Sequence, residues 1–367
     1  MKKIGIIAVC SLLLIIIGIF LINGNRAETD VTKESTKVGF VLNGSCDDHS
    51  WGQSHYEAME KTAAELNLEV LYRENVPEDE SCMVIMEELI SEGCEILICN
   101  SVQYGEWELQ VAEKHPEIYF FHATGTETRD NLSTYFGRIY QMRYLSGIVA
   151  GLQTETDKIG YVAAYPISEV NRGINAFTLG VRAVNKDAVV YVQWCGSWND
   201  EQAVTDATNE LFDTYDIDVL TIHCDTITPL EIAEEKGIWS IGYNMDNSEK
   251  FPNSFLTAPI WQWENFYTPH ILECLQGKFV EKQYWEGVET GIVDLAALTD
   301  QVKEGTAEAV EAERQRLQSG TYDVFYGPIW DSEGNLRVAE GETMSDQTLL
   351  NEFDWYVEGV IINGENQ

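Results

Sequence analysis

Residues 38–66 read as a buried strand, a short polar loop and an amphipathic helix, and this unit opens an alternation that runs to about residue 243. Alternating strand and helix patterns signal a parallel sheet flanked by helices. In such sheets ligands bind at the loops outside the carboxyl ends of the strands. A first series has strands at 38–42, 68–72, 95–99 and 119–122, with helices at 53–66, 78–92, 104–115 and 138–152. In the last of these helices, Ser146, Gly147, Ala150 and Gly151 are expected to let it pack closely on a sheet. A second series has strands at 158–163, 189–194, 219–223 and 239–243, with helices at 170–184, 201–215 and 229–236. After Pro252 the pattern changes: a short segment at 254–258, a helix at 261–276, a strand-like run at 285–294 and a polar helix at 299–318. The tail carries a strand-like segment at 325–329 and a closing helix at 349–357. Two such series imply an α/β protein of two lobes, each a parallel sheet flanked by helices, joined by hinge crossings. A cleft between lobes is the preferred place for a small ligand.

The expected division follows. Residues 1–24 form an N-terminal anchor or signal segment and 25–37 a tether. Residues 38–157 with about 259–283 form lobe 1, 158–258 with about 284–325 form lobe 2, and 326–367 supply a closing strand and helix. The run at 4–22 is apolar without one charge, close to the ~20 residues that span a bilayer. Lys2 and Lys3 before it keep the amino end inside, which puts the rest of the chain on the extracytoplasmic face. The net charge of −38 argues against nucleic acid as a partner, because phosphate backbones call for Lys and Arg. Seven of the eight cysteines follow the apolar run with no CxxC; Cys99 and Cys224 lie in apolar strands as small hydrophobes. A disulfide is compatible with this compartment, but spacing does not assign one.

The loop after the first strand carries Asp48, His49, Ser50, Trp51, Gly52 and Gln53, with no Gly-rich phosphate cradle. Two roles fit it. A flat ring could stack on Trp51 and hydrogen-bond Asp48; or Asp48 or Ser50 could cap the helix while Trp51 packs in the core. HExxH, Walker, GxGxxG and GxSxG patterns are missing, and the six histidines lack zinc-ligand spacing, so no metal, cofactor or catalytic residue is expected. The acids Asp47 and Asp48 could activate water in a nucleoside hydrolase, but the clustered acids such chemistry needs do not accompany them.

Four stretches in order give the chain a family likeness. They are Asp48–Gln53 against Asp-x-Ser-Phe-Asn-Gln, Tyr135 through Gly151 against a helix entry with Tyr-Leu-x-Gly, Val170 through Gly180 against a helix opening a second lobe, and Phe325 through Ile329 against a closing strand. The chain resembles the basic membrane protein family of substrate-binding proteins, whose best-studied members are purine nucleoside receptors of ABC transporters. The resemblance implies the type I periplasmic-binding-protein fold, a purine ligand, an ABC permease as partner and a monomer. A ligand-sensing ectodomain of the same fold is the alternative. The chain departs from the family where Trp51 replaces Phe, Gly52 replaces Asn, Phe121–Thr124 lacks an Asp, Asn244 replaces the first Asp of Gly-x-Asp-x-Asp, and Trp261 falls near a Lys position. Those Asp and Lys groups hold ribose hydroxyls in nucleoside receptors, so their loss with Trp261 gained points to a drier pocket for a free base, with a nucleoside close behind. Trp51 opposite Trp198 would sandwich the ring, at ~1–3 kcal/mol per stacked base in nucleic-acid systems. Asn100, His223, Asp225 and Asp246, at strand ends, are the candidates to read its edge. Arg172 would either bind across the lobes or cap a sheet edge, and Glu169 and Glu201 read as helix N-terminal acids.

Overall fold

Two six-stranded parallel sheets form the protein in a computed structural model that describes residues 35–363. The expected anchor and most of the tether lie outside the described residues. Both sheets belong to one compact unit that begins at Thr36. The first sheet grows from β1 (Lys37–Val41), α1 (Trp51–Leu66), β2 (Glu69–Arg73), α2 (Cys82–Ser91), β3 (Cys94–Cys99), α3 (Gly105–Lys114), β4 (Tyr119–Ala123) and β5 (Leu132–Gly137). Helix α4 (Tyr140–Gln153) then crosses to the second lobe. There β6 (Lys158–Ala163), α5 (Ser168–Val184), β7 (Val189–Trp194), α6 (Glu201–Thr214), β8 (Val219–His223), α7 (Thr228–Lys236), β9 (Trp239–Ile241) and β10 (Phe255–Thr257) follow. The chain returns through β11 (Pro259–Trp261) and α8 (Glu264–Leu275) to β12 (Gln283–Glu286), and crosses again through β13 (Val293–Leu295) and α9 (Thr306–Gln318). The last elements are β14 (Ile329–Trp330), β15 (Leu336–Val338), α10 (Asp346–Asn351) and β16 (Val360–Ile362).

Strand order is β12-β5-β4-β3-β1-β2 in the first sheet and β10-β9-β8-β6-β7-β16 in the second. The order therefore reverses between β1 and β3, and again between β6 and β8. These are the topological switch points at which open α/β sheets hold ligands. The strands beside them are apolar and buried on both faces, as Val38, Phe40, Val41 and Leu97 are in one sheet and Ile159, Tyr161, Leu220 and Ile222 in the other. The fold is the two-lobed α/β arrangement expected from the sequence, with three crossings between the lobes.

Several local expectations need correction. Residues 132–137 form the fully buried strand β5, where the sequence suggested only a helix entry, because Ser133 and Thr134 interrupt the apolar pattern. The small residues of α4 face a helix and not a sheet. A Cβ on Gly147 would lie 2.0 Å from the Phe177 carbonyl oxygen, and one on Gly180 would lie 2.0 Å from that of Tyr144, so α4 and α5 touch backbone to backbone. The run at 285–294 is two strands split by a turn, in which Thr290 N–H donates to the Gly287 carbonyl and Gly291 N–H to that of Val288. The polar helix begins at Thr306, about two turns later than its pattern suggested, after Gly305 at φ 88°. The closing helix shrinks to α10; the backbone after it is irregular and ends as β16, hydrogen-bonded to β7. The seven cysteines among the described residues are free, and Cys99 and Cys224 are buried. Among the described residues no helix is long and apolar enough to cross a membrane.

Candidate functional site

The two switch points face each other across the gap between the lobes, with Asn100 just past β3 and Asp225 two residues past β8. Together with Trp51 and Thr124 on one lobe, and Glu169, Trp198 and Tyr243 on the other, they border a cavity that opens to solvent. Its walls are loops and helix starts at the carboxyl ends of strands, with Trp51 in the first turn of α1 and Glu169 in that of α5. The backbone is held in unusual conformations there: His49 (φ 54°), Thr124 (φ 61°) and Asn244 (φ 70°) all adopt the left-handed region. For a β-branched residue such as Thr124 this is a real outlier, and such strain clusters at ligand sites.

Asn100 is fully buried. Its backbone N–H donates to the Val41 carbonyl, and its side-chain Oδ1 accepts from the Asn43 N–H at 2.9 Å. Its Nδ2 is buried with no partner in the protein. An orphaned buried donor is costly, so one bordering a cavity points to an acceptor supplied by a ligand. Across the gap, the Asp225 N–H donates to the Trp198 carbonyl at 2.6 Å, and Asn244 Nδ2 donates to Asp225 Oδ1 at 3.0 Å. Burial pushes the Asp225 carboxyl well above the usual carboxylate range, Asp48 pushes it further, and the Asn244 hydrogen bond pulls in the opposite direction.

Asn244 is a hub. Its Nδ2 also donates to Ser50 Oγ at 2.9 Å, and its Oδ1 accepts from Trp261 Nε1 at 2.9 Å. Asn247 Nδ2 donates to the His49 carbonyl. One edge of the cleft is thereby tied across the lobes through amides. An Asp at position 244 would lose both of those donated bonds.

Of the two roles considered for the first loop, the structure shows the cap. Asp48 accepts from the N–H groups of Ser50 (2.8 Å), Gly52 (2.8 Å) and Gln53 (3.0 Å), so it caps α1. Burial raises its pKa against the pull of those three bonds. Gly52 is required here: a Cβ would sit 2.2 Å from the Ser45 carbonyl oxygen and 2.8 Å from Asp48 Oδ2. Trp51 is 8% exposed and donates from Nε1 to the Asn100 carbonyl at 2.9 Å. Its ring meets His55, Trp261 and Trp263 edge to face, while part of it borders the cavity. Replacing Asp48 with Ala is expected to cost about 1–2 kcal/mol in urea unfolding, the upper part of the range for a lost N-cap; an unchanged midpoint would remove Asp48 from the cap.

The structure thus brings Trp51, Asn100, Trp198 and Asp225 around one cavity, and sets Asp48 on an adjoining acidic mouth shared with Glu201 and Glu231. Trp198 is half-buried, its ring edge-on to Tyr165 at 5.7 Å. The other three candidates stand off the cavity walls. His223 is buried behind Tyr243, 4.7 Å between ring centroids, with Nδ1 against the Tyr161 hydroxyl at 3.1 Å; burial lowers its pKa to about 4. Trp261 stacks on Trp263 at 4.2 Å behind Trp51. Asp246 is exposed and accepts from the Ser248 N–H within its own turn.

Sequence reasoning missed Tyr243, Thr124 and Glu169. Tyr243 ends a strand by pattern and was available to the same argument that selected Asp225. Its ring covers the buried Arg143 guanidinium, 3.7 Å from the ring centre. Glu169 was read only as an acid at the start of a helix. Its Oε1 lies 3.6 Å from His223 Nε2 at the cavity wall.

A family profile described as PnrA-like ABC transporter substrate-binding protein matches residues 35–324. A purine-binding protein of Brucella abortus is 34% identical, the match covering 89% of this chain and 93% of that one. A Haloferax volcanii protein, provisionally named a glucose-binding protein of an ABC transporter, is 32% identical, over 89% of this chain and 81% of its own. Among solved structures, a transcriptional activator of the comK gene from Bacillus halodurans superposes with a TM-score of 0.68 at 21% identity, covering 78% of this chain and 99% of that one. At that identity the likeness is one of fold.

Proposed function

Since this chain belongs to the PnrA-like family of ABC transporter substrate-binding proteins, an extracytoplasmic, non-catalytic class of solute receptors, we propose that its solute is a purine base or nucleoside. The observation that carries the reading is the orphaned Asn100 Nδ2 at a cavity with aromatic rings on both lobes. An amide donor from one lobe and the Asp225 carboxyl from the other would read a ring edge, which offers both acceptors and N–H donors. Trp51, Trp198 and Tyr243 supply apolar walls. Supporting it further, the Brucella relative of comparable length is named for purine binding. Carboxylates at the cavity and its mouth disfavour phosphorylated ligands.

In this reading the ligand favours the closed pair of lobes, no bond is made or broken, and an ABC permease receives the solute. The apolar run at 4–22 would hold the receptor at the outer membrane face. The test is thermal unfolding of the full-length protein in detergent with purine bases, nucleosides and hexoses. A purine at about 100 times its Kd should add about 2.7 kcal/mol of stability. A shift with glucose and none with any purine would replace the purine reading with the one the Haloferax relative suggests.

A further inference from the structure

Asn244 lies 1% exposed in the turn after β9, and Ser50 lies 1% exposed at the start of α1 in the other lobe. Neither borders the cavity or its acidic mouth. Their 2.9 Å hydrogen bond therefore links lobe to lobe without facing a solute. Ser50 holds the N-cap position of α1, yet its side chain makes no cap bond. Asp48 supplies the cap, and the Ser50 hydroxyl is turned to Asn244 instead. An amide nitrogen carries two hydrogens. Asn244 gives one to Ser50 and the other to Asp225 Oδ1 at 3.0 Å, while its own Oδ1 accepts from Trp261 Nε1. No side-chain donor is left for a solute. The backbone φ of 70° is one that Asn tolerates, and the Trp261 N–H donates to the Asn244 carbonyl at 3.3 Å, so the crossing strand β11 holds the amide in place. Asn247 pins the same lip of the cleft through its 3.1 Å bond to the His49 carbonyl.

We propose that Asn244 is a positioning residue that latches the closed lobes and ties the latch to the solute through Asp225. Hinge opening carries Ser50 away from Asn244, so the bond between them exists only while the lobes are closed. The same amide fixes the carboxyl that reads the solute. Contact of a solute with Asp225 and closure of the cleft therefore support each other. A solute held between two lobes leaves only after the lips part, so the latch acts on dissociation and not on encounter. The coupling to a solute rests on the purine reading of Asp225; the latch itself does not.

Ser50→Ala removes the latch and leaves the Asp48 cap, the cavity walls and Asp225 in place. The full-length protein is mixed by stopped flow with whichever of adenine, guanine, hypoxanthine and their nucleosides the wild type binds. Dissociation from Ser50→Ala should be about 2- to 12-fold faster, the range for one neutral hydrogen bond, with the association rate unchanged. Hydrogen exchange without solute should speed up together at the backbone amides of 49–53 and 244–248, one segment in each lobe. Asn244→Asp keeps the left-handed turn but sets an acceptor against the Asp225 carboxyl, so both donated bonds go and dissociation should be about tenfold faster or more. Adding Ser50→Ala to Asn244→Asp should then cost nothing further. Unchanged dissociation in Ser50→Ala, faster exchange at one lip alone, or additive losses in the double variant would each overturn the latch. A lowered melting temperature with both binding rates intact would make Ser50 a contact of the fold alone and overturn it as well. If no purine binds the wild type, the purine reading falls, and the exchange of the two lips decides the latch by itself.

Discussion

Replacing Asp225 with Asn is expected to weaken purine binding by roughly 10- to 150-fold while making the ligand-free protein more stable at neutral pH. The affinity loss corresponds to a hydrogen bond from a ligand N–H to a charged acceptor, about 1.5–3 kcal/mol. The stability gain follows from the environment of the carboxyl. Burial first, and then Asp48, raise its folded-state pKa well above the usual range. Between the ordinary value near ~3.9 and that raised value, the folded state holds more protons than the unfolded state. Stability therefore falls as pH rises through that window. The Asn variant does not titrate there and keeps the Asn244 contact through its own carbonyl oxygen. Its advantage should be complete above the raised pKa and vanish below the ordinary one. Urea unfolding of both proteins at about pH 4 and about pH 8, with titration of the preferred purine, measures both effects. A variant that binds as tightly as the wild type would remove Asp225 from the ligand. One that is less stable at about pH 8 would mean the buried charge is held by more than Asn244.

The same residue marks how far the sequence could be read. Asn100 and Asp225 were legible because each follows an apolar strand, and in a parallel sheet the chemistry sits at that end. The register of β3 and β8 carries them to the cleft whatever the distant chain does. Asp246 and Trp261 failed the same argument for a physical reason. The loop after β9 turns at Asn244, whose positive φ and four side-chain and backbone links to Ser50, Asp225 and Trp261 are long-range and leave no local pattern. That turn gives Tyr243 to the cavity, Asn244 to the lobe interface and Asp246 to solvent. Similarly, Gly147 and Gly180 announced close packing, but only the pairing of α4 with α5 decides that a helix, and not a sheet, is the neighbour. Arg172 was visible as a residue on a helix opening the second lobe. Its meeting with Trp285 and the Leu349 carbonyl, more than a hundred residues later, was not.

Trp51→Ala should have the largest effect of any single change, costing about 3–5 kcal/mol of stability and abolishing ring binding together. The two losses have separable causes. The indole packs edge to face against His55, Trp261 and Trp263, so its removal leaves a hole in an aromatic cluster that contains the buried α8 contacts. It also donates to the Asn100 carbonyl and so fixes the residue whose amide nitrogen has no partner in the protein. Trp51→Phe separates them. A phenyl ring keeps most of the packing and a stacking face but cannot donate to Asn100. It should cost about 1–3 kcal/mol for the carbonyl left unpaired, and it should weaken ligands that rely on the Asn100 amide more than those that rely on stacking. Double substitution with Asn100→Asp then tests the coupling. If Trp51 acts on the ligand through Asn100, the affinity losses will be less than additive. Fully additive losses would make Trp51 a stacking platform whose hydrogen bond serves the fold alone.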